Sequence, residues 1–394
     1  MTTFKKALLG TAAIAVAAGF AAAPAAAQSA DPSAAAKVVA SGSDKMKLTL
    51  SGQIHRNTVI VDDGFDTEVK HVDNQLTGSR FRIGGAGKVN SDISVGTMIE
   101  MGIIPNSSGA TTQDATNSNS GAAGTHEARI VEITFNHTKF GRVYMGKGAA
   151  ASDGSGEVTK GIQGNVTLQT GDMTHVPGGG FLFKNDGVDT GAAGRGTITM
   201  GAALADYDGN GRNNRMRYDT PTFMGFQART SHADQGDWDA ALFHDATYFG
   251  FDVGAGIAYS EAPNNTDRDS LINGSVSVMS PWGISIGGAA GRAEIEGADR
   301  TTGYWGATIA YDTQFNELGK SSIGYTYTSH RGDAGTDTDA TGHQVSIMQQ
   351  IDAAAMDLYL SYARASLDVD DAGAGTGGEY KDIDAFMMGS RVRF

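Results

Sequence analysis

The sequence predicts an all-β fold, a transmembrane antiparallel up-and-down barrel of sixteen strands, and three observations predict it. Segments of about ten residues alternate apolar and polar side chains with a period of two. Their connections alternate between short turns and long loops that are polar and rich in Gly, Asp and Asn. Beyond the extreme N-terminus, no apolar run approaches the ~20 residues of a spanning helix. A chain of this kind meets a membrane with strands, whose alternation hides its apolar residues on one face.

Composition narrows the function classes. The 394 residues carry 30 basic against 44 acidic side chains, a net charge of −14, and no basic stretch supplies the phosphate-neutralising footprint of a nucleic-acid binder. The absence of cysteine excludes disulfide scaffolds, thiolate zinc sites and cysteine nucleophiles together. The 55 glycines show no G-X-Y period, which excludes collagen.

The elements follow in order. Lys5 and Lys6 open a positive n-region, Ala7 to Phe20 form an apolar h-region, and Ala25-Ala26-Ala27 before Gln28 has the form of a signal-peptidase site. Residues 1–27 are therefore expected to be a cleaved signal peptide, 28–45 a flexible leader rich in Ala and Ser, and 46–394 the barrel. Strands are expected at 46–61, 79–89, 91–102, 127–136, 141–147, 212–220, 224–232, 237–246, 248–260, 269–279, 282–293, 301–312, 320–330, 341–351, 354–366 and 382–394. In the first, Leu48, Leu50, Ile54 and Ile60 oppose Lys47, Thr49, Ser51, Gln53, His55 and Asn57. In the second, Phe81 and Ile83 oppose Arg80 and Arg82.

Short links such as Asn90, Pro221 to Phe223, Thr247 and Ser280-Pro281 place the tight turns on one rim, and the other rim carries the long loops. Closure satisfies every backbone N–H and C=O in lipid, which an open sheet cannot do. Phe140, Phe223, Phe226, Tyr248, Phe249, Trp282, Tyr311 and Phe315 cluster beside the short turns, where an interfacial aromatic girdle belongs.

Several stretches resemble the general diffusion porins of Gram-negative outer membranes. Arg212 to Phe226, with Asn213, Tyr218-Asp219-Thr220-Pro221, Phe223 and Gly225-Phe226, is similar to the porin stretch "N-x-x-x-Y-[DS]-[ST]-P-x-F-x-G-F" that follows the constriction loop. Ser79 to Gly84 resembles the family's second strand, with Glu100 at the end of its third. Phe140 to Lys147 resembles the "FG-x-v-x-lGR" strand that leads into the third loop, and Phe386 to Phe394 the terminal aromatic signal read by the barrel assembly machinery, with Phe394 as the signal residue.

The resemblance implies short periplasmic turns, long extracellular loops, a third loop folded into the lumen, a homotrimer, and contact with outer-membrane lipid and lipopolysaccharide. It also implies a water-filled channel through which ions and small hydrophilic solutes diffuse passively, with no enzymatic activity. Two departures stand out. Lys147 occupies the place of the usual Arg, and the third loop, 148–211, is longer than the family's, with strand-like pieces at Phe181 to Lys184 and Thr197 to Ala203. The second departure leaves room for an extra hairpin and eighteen strands.

With apolar residues toward lipid, alternation sends Arg80, Arg82, Lys88, Glu100, Arg142, Arg215 and Arg217 to the lumen, with serines, threonines and glutamines keeping it wet. In the resembling family, loop carboxylates face an arginine wall across the constriction, and Asp153, Glu157 and Asp172 are the matching candidates. Facing charges lower the barrier for one ion sign and raise it for the other. Strict alternation points Lys147 outward, so a lumen role for it requires a bulge or bend near Gly146. Asp62, Asp63, Asp66 and Glu68 read as exposed loop acids away from the narrowest point.

Other chemistry has little support in the sequence. Asp206, Asp208 and Asn210 match the first half of a calcium loop, but Arg217 replaces the glutamate expected at its twelfth position. No H-E-x-x-H pair and no G-x-S-x-G elbow is present. The alternatives are a secreted calcium-bound β-solenoid adhesin, which would show short fixed repeats, and a solute-specific or enzymatic barrel.

Overall fold

The computed structural model describes residues 38–39, 45–113, 126–164, 166–170, 173, 178–184, 195–205, 207–262, 268–295, 300–333, 338–369 and 378–394. The expected signal peptide, nearly all of the leader, Asp172 and Asp206 lie outside the described residues.

Sixteen antiparallel barrel strands close on themselves. They are β1 (Lys47–Asp62), β2 in two parts (Thr67–Asp73 and Arg80–Lys88), β3 (Ile93–Ile103), β4 (His126–His137), β5 (Gly141–Ala149), β6 (Arg212–Asp219), β7 (Phe226–Ala233) and β8 (Trp238–Tyr248). The circuit continues with β9 (Phe251–Glu261), β10 (Ser270–Met279), β11 (Ile284–Ile295), β12 (Arg300–Asn316), β13 (Gly319–Arg331), β14 (Thr338–Ile351), β15 (Met356–Val369) and β16 (Ile383–Arg393). Each strand pairs with its sequence neighbours, and β1 closes the ring by pairing with β16 from Gln53↔Arg393 to Asp62↔Asp384. Phe394 extends that seam: its N–H donates to the Gly52 carbonyl at 3.0 Å and its carbonyl accepts from the Gly52 N–H at 2.8 Å.

The second strand is longer than the sequence suggested. β1 pairs with Thr67–Asp73 along its upper half and with Arg80–Lys88 along its lower half, so β2 is one descending strand interrupted at 74–79. Asp62 and Glu68 therefore lie in strands of the wall and not in a loop, both still partly exposed, while Asp63 is buried in the turn between β1 and β2.

The outward face carries the apolar residues of the alternation, among them Leu50, Ile54, Ile133, Ile257, Ile272, Ile286, Ile309, Ile323 and Ile347, all exposed. The rim aromatics expected beside the short turns are exposed as well, Phe249 fully so at 100%. This lipid-facing band is the counterpart of a soluble core.

The long segment between β5 and β6 folds inside the barrel. Its pieces Leu182–Lys184 and Arg195–Thr199 form a hairpin, but that hairpin is a separate two-stranded sheet, so the wall stays at sixteen strands and the room for eighteen is not used. A single helical turn, Met200–Ala203, follows the hairpin, and its Ala202 N–H donates to Thr199 Oγ1 at 3.1 Å.

Candidate functional site: the lumen wall and its inserted loop

Alternation decides which side chains enter the lumen. On β6, Arg215, Arg217 and Asp219 are buried inward, while Met216 and Tyr218 are exposed outward. Register carries the same face onto β5, where Arg215 stands opposite Gly146, Arg217 opposite Tyr144 and Asp219 opposite Arg142. Lys147 is in continuous register with Asn214 and with the outward Val131, and neither ladder shifts there. Gly146 departs from strand geometry with φ +123, but with no shift in either ladder Lys147 stays on the outer face of the barrel.

Two clusters of arginine and carboxylate line this sector. In the first, Glu100 is 1% exposed and sits among three guanidinium groups: Arg82, in close contact, Arg129 at 2.7 Å and Arg80 at 3.3 Å. Arg129 was not anticipated, because strict alternation from Val131 and Ile133 points it to lipid. A bulge between Glu100↔Ile130 and Met101↔Ala128 leaves it unpaired and turns it inward.

In the second cluster, Arg217 grips Asp219 with two parallel bonds of 2.7 and 2.9 Å, and Arg215 binds Glu132 at 2.7 Å. Arg215 also donates to the carbonyls of Ala149 and Gly146, and Arg217 to those of Ala149 and Ala150. These two arginines are thereby committed to the root of the inserted loop. Arg229, absent from the sequence candidates although it shares parity with Ser231, lies 3.9 Å from Asp219 and stacks 3.8 Å from the Phe243 ring centre.

The arginines that meet water are therefore Arg82, 45% exposed, and Arg142, exposed, with Arg80, Arg129 and Arg229 partly so. Arg142 donates to Tyr144 Oη at 3.1 Å, and Lys88 is exposed at the lower end of β2.

The first limb of the loop is fixed by inward side chains of successive strands. The Ser152 N–H donates to Asp239 at 3.0 Å, Val158 to Ser275 at 2.8 Å, Lys160 to Ser277 at 2.9 Å and Ile162 to Asp312 at 2.8 Å. Gln163 then donates to Ser322 Oγ, and Gln344 to the Thr167 carbonyl. The inner-face serines and Gln344, expected to keep the lumen wet, are thus largely spent on the backbone and side chains of the loop.

Of the loop carboxylates, Asp153 lies within the fields of Arg212, Arg217 and Arg129. Glu157 lies farther along the limb, next to the Val158–Ser275 contact with β10. Asp208 accepts from the Gly154 and Gly156 N–H groups at 2.8 to 3.1 Å, and Asn210 donates its own N–H to Ser152 Oγ. The calcium-like motif thus serves as a backbone clasp that joins the return of the loop to its start. Among the described residues no group of three or more His, Cys, Asp or Glu is arranged to hold a metal.

A closed barrel with an apolar outer band, a charged inner sector and an inserted loop defines a membrane channel protein. The Gram-negative porin family model matches residues 11–379, and the chain belongs to that family: it is an outer-membrane protein that forms a diffusion channel. No curated protein sequence matches the chain.

Solved structures share the fold at low identity. The anion-selective porin from Comamonas acidovorans is 13% identical, with 89% of this chain and 100% of that one covered and a TM-score of 0.59. OmpT of Vibrio cholerae, described in a trimer form, is 14% identical, with 89% and 100% covered and a TM-score of 0.55. Salmonella typhi OmpF in complex with daunomycin is 13% identical, with 89% and 98% covered and a TM-score of 0.50. The closed wall of long strands is not the repeat architecture of a solenoid.

Proposed function

We propose that ions and small hydrophilic solutes cross passively between the first limb of the loop and the arginine sector of β2 to β7, and that this path favours anions. One observation carries the reading. Arg80, Arg82, Arg129, Arg142 and Arg229 meet the lumen there, whereas of the wall carboxylates Glu100, Glu132 and Asp219 are each bound to arginine, and the exposed Glu127, opposite Gly102, is outnumbered by these arginines. A wall with cations in excess lowers the barrier for anions and raises it for cations. This local balance opposes the net charge of −14, because selectivity is set at the narrowest point.

In this reading Arg80, Arg82 and Arg142 form the wall of the constriction, Arg215 and Arg217 hold the root of the loop in place, and Asp153 supplies the facing carboxylate. The anion selectivity of the Comamonas porin accords with the anion preference proposed for this chain, and the trimer form of the Vibrio protein with assembly as a homotrimer. The channel performs no chemistry on its solutes. Phe394 serves as the assembly signal, and residues 1–27 are removed on export. The outward band meets outer-membrane lipid and lipopolysaccharide.

Reconstitution in a planar bilayer tests the proposal. Open currents in steps of three support it, and silence from a folded barrel overturns it.

A further inference from the structure

The outer wall carries a hollow near the long-loop rim. It crosses β11, β12 and β13, has a volume of about 630 Å³, and is lined by Arg292, Thr301, Gly303, Trp305, Arg331 and Asp339. These six share the outward parity of Ile286, Ile309, Ile323 and Ile347 on the same four strands, so the hollow opens away from the lumen, toward the lipid.

The strand register explains why it exists. Arg292 and Arg331 both stand directly opposite Gly303, one on each side. Two long cationic side chains therefore flank a position that has no side chain. With neighbouring strands ~4.8 Å apart, the backbones of the two arginines lie about 10 Å from each other across that glycine.

Neither cation is neutralised by the wall. Arg292 makes a single bond, 3.5 Å from Thr301 Oγ1, and no ion pair among the described residues. Arg331 is 84% exposed and bonds Asp339 through Nε alone, at 3.0 Å. An exposed pair of this kind contributes little, and the Nη groups of Arg331 remain available to another acceptor.

The surroundings match a lipid. Trp305, one outward position from Gly303 toward the middle of the wall, is 52% exposed, and its ring centre lies 5.1 Å from that of Tyr327. Trp and Tyr on a membrane wall mark the boundary between acyl chains and headgroups, which sets the two arginines at the depth of phosphate. Farther along the wall Ala290 stands opposite Trp305 and Gly274 opposite Ala290, with Gly288 opposite Ala307. These small outward residues make a shallow strip that runs on from the hollow between Ile272 and Ile286 on one side and Ile309 on the other.

We propose that the hollow binds one molecule of an outer-leaflet glycolipid. A phosphate on its sugar headgroup bridges Arg292 and Arg331 over Gly303, the sugar ring lies on Trp305 with its hydroxyls toward Thr301 and Asp339, and an acyl chain follows the strip of small residues. Charge-assisted bonds from guanidinium to phosphate hold the headgroup. This inference rests on the reading above that the outward band meets outer-membrane lipid and lipopolysaccharide.

Native mass spectrometry of the full chain in detergent, titrated with diphosphoryl lipid A, tests the site. Two variants are compared with the unaltered protein: Arg292→Gln combined with Arg331→Gln, and Gly303→Leu. A Cβ at Gly303 would meet only the Gly291 carbonyl oxygen, at 3.5 Å, an ordinary contact, so the leucine fills the hollow without straining the wall. The expected result is lipid A bound by the unaltered protein and bound about tenfold or more weakly by each variant. Phosphate-free lipid A and phosphatidylglycerol should bind the unaltered protein more weakly than diphosphoryl lipid A by a similar factor. Single-channel conductance should be the same in all three proteins, because none of the substituted residues faces the lumen.

Equal binding of lipid A by the unaltered protein and the variants, with heat-modifiable gel migration showing folded barrels, would overturn the site. Phosphatidylglycerol bound as tightly as lipid A would overturn it as well. Should one variant fail to fold, the other decides. A folded, unaltered barrel that retains neither lipid would instead refute the lipid reading of the outward band, so the two failures are separable.

Discussion

Arg129 reaches Glu100 across 2.7 Å only because a bulge in β4 rotates it from the lipid face to the lumen. That one-residue irregularity places a third guanidinium on a carboxylate already held by Arg80 and Arg82. The result is a net positive patch in the arginine sector.

Glu100→Gln should make the channel more selective for anions, because it removes the charge these three arginines share. It should also cost barrel stability, on the order of 3 kcal/mol at most, since it breaks a buried ion cluster while lumen water still hydrates Arg82. The reversal potential under a KCl gradient reads the first effect, and the temperature of the heat-modifiable gel shift reads the second. An unchanged reversal potential would remove Glu100 from the field the ions sense.

Arg80→Ala combined with Arg82→Ala should shift permeability toward cations. The pair contributes two of the lumen cations, one of them the 45%-exposed Arg82. A double mutant with the reversal potential of the unaltered protein would take both residues out of the constriction.

Acid should loosen the inserted loop through Asp63, whose buried carboxylate lies 2.9 Å from Lys184 Nζ. Burial alone would raise its carboxyl, but the Asp66 N–H, the Lys184 ammonium and the Phe65 N–H outweigh burial and hold it below the usual aspartate range. A carboxyl lowered in the folded state contributes stability that is present above its unfolded value of 3.8 and is lost as pH falls through the lowered folded value. Limited proteolysis of the loop should therefore be constant from neutral pH down to the aspartate range and rise below it. Asp63→Asn should abolish that step, and a step that persists in the variant would assign it to other groups.

Gly52→Val should impair closure of the barrel. A Cβ at Gly52 would stand 2.5 Å from the Phe394 ring and 2.7 Å from the Arg80 carbonyl oxygen, both at the seam where the last residue joins β1. Overpacking of this kind costs about 1 to 3 kcal/mol. The expected outcome is a lower temperature of the heat-modifiable shift and less assembled protein in the membrane, and an unaltered shift would contradict it.

The wall was legible because lipid on one side and loop or water on the other impose a period of two, which most of the barrel strands follow along most of their length. The upper part of β2 was not, because Glu68, Lys70 and His71 put polar groups on both faces of Thr67–Asp73 and imitate a loop. Arg129 was hidden by its bulge, which breaks the parity rule that located Arg80, Arg82 and Arg142. Lys147 obeyed that rule, whereas the resemblance suggested otherwise.

The buried apolar cluster between the inserted loop and the wall left a trace in the sequence. In β1 the polar parity of Gln53, His55 and Asn57 passes into Val59 and Val61, so both faces become apolar where Phe181 and Phe183 of the inserted loop pack. On β15 only the inner parity changes, from Asp357 and Ser361 to Ala363, Ala365 and Leu367, while Arg364 and Ser366 stay on the outer face. A strand apolar on both faces in a channel protein signals an inner partner.

The most direct test of the account is the reversal potential of the unaltered protein in a planar bilayer under a KCl gradient. The arginine sector predicts a potential of the sign that marks chloride as the more permeant ion, despite the chain's net negative charge. A potential marking potassium as the more permeant ion would contradict it, and would show that the wall arginines do not govern the path.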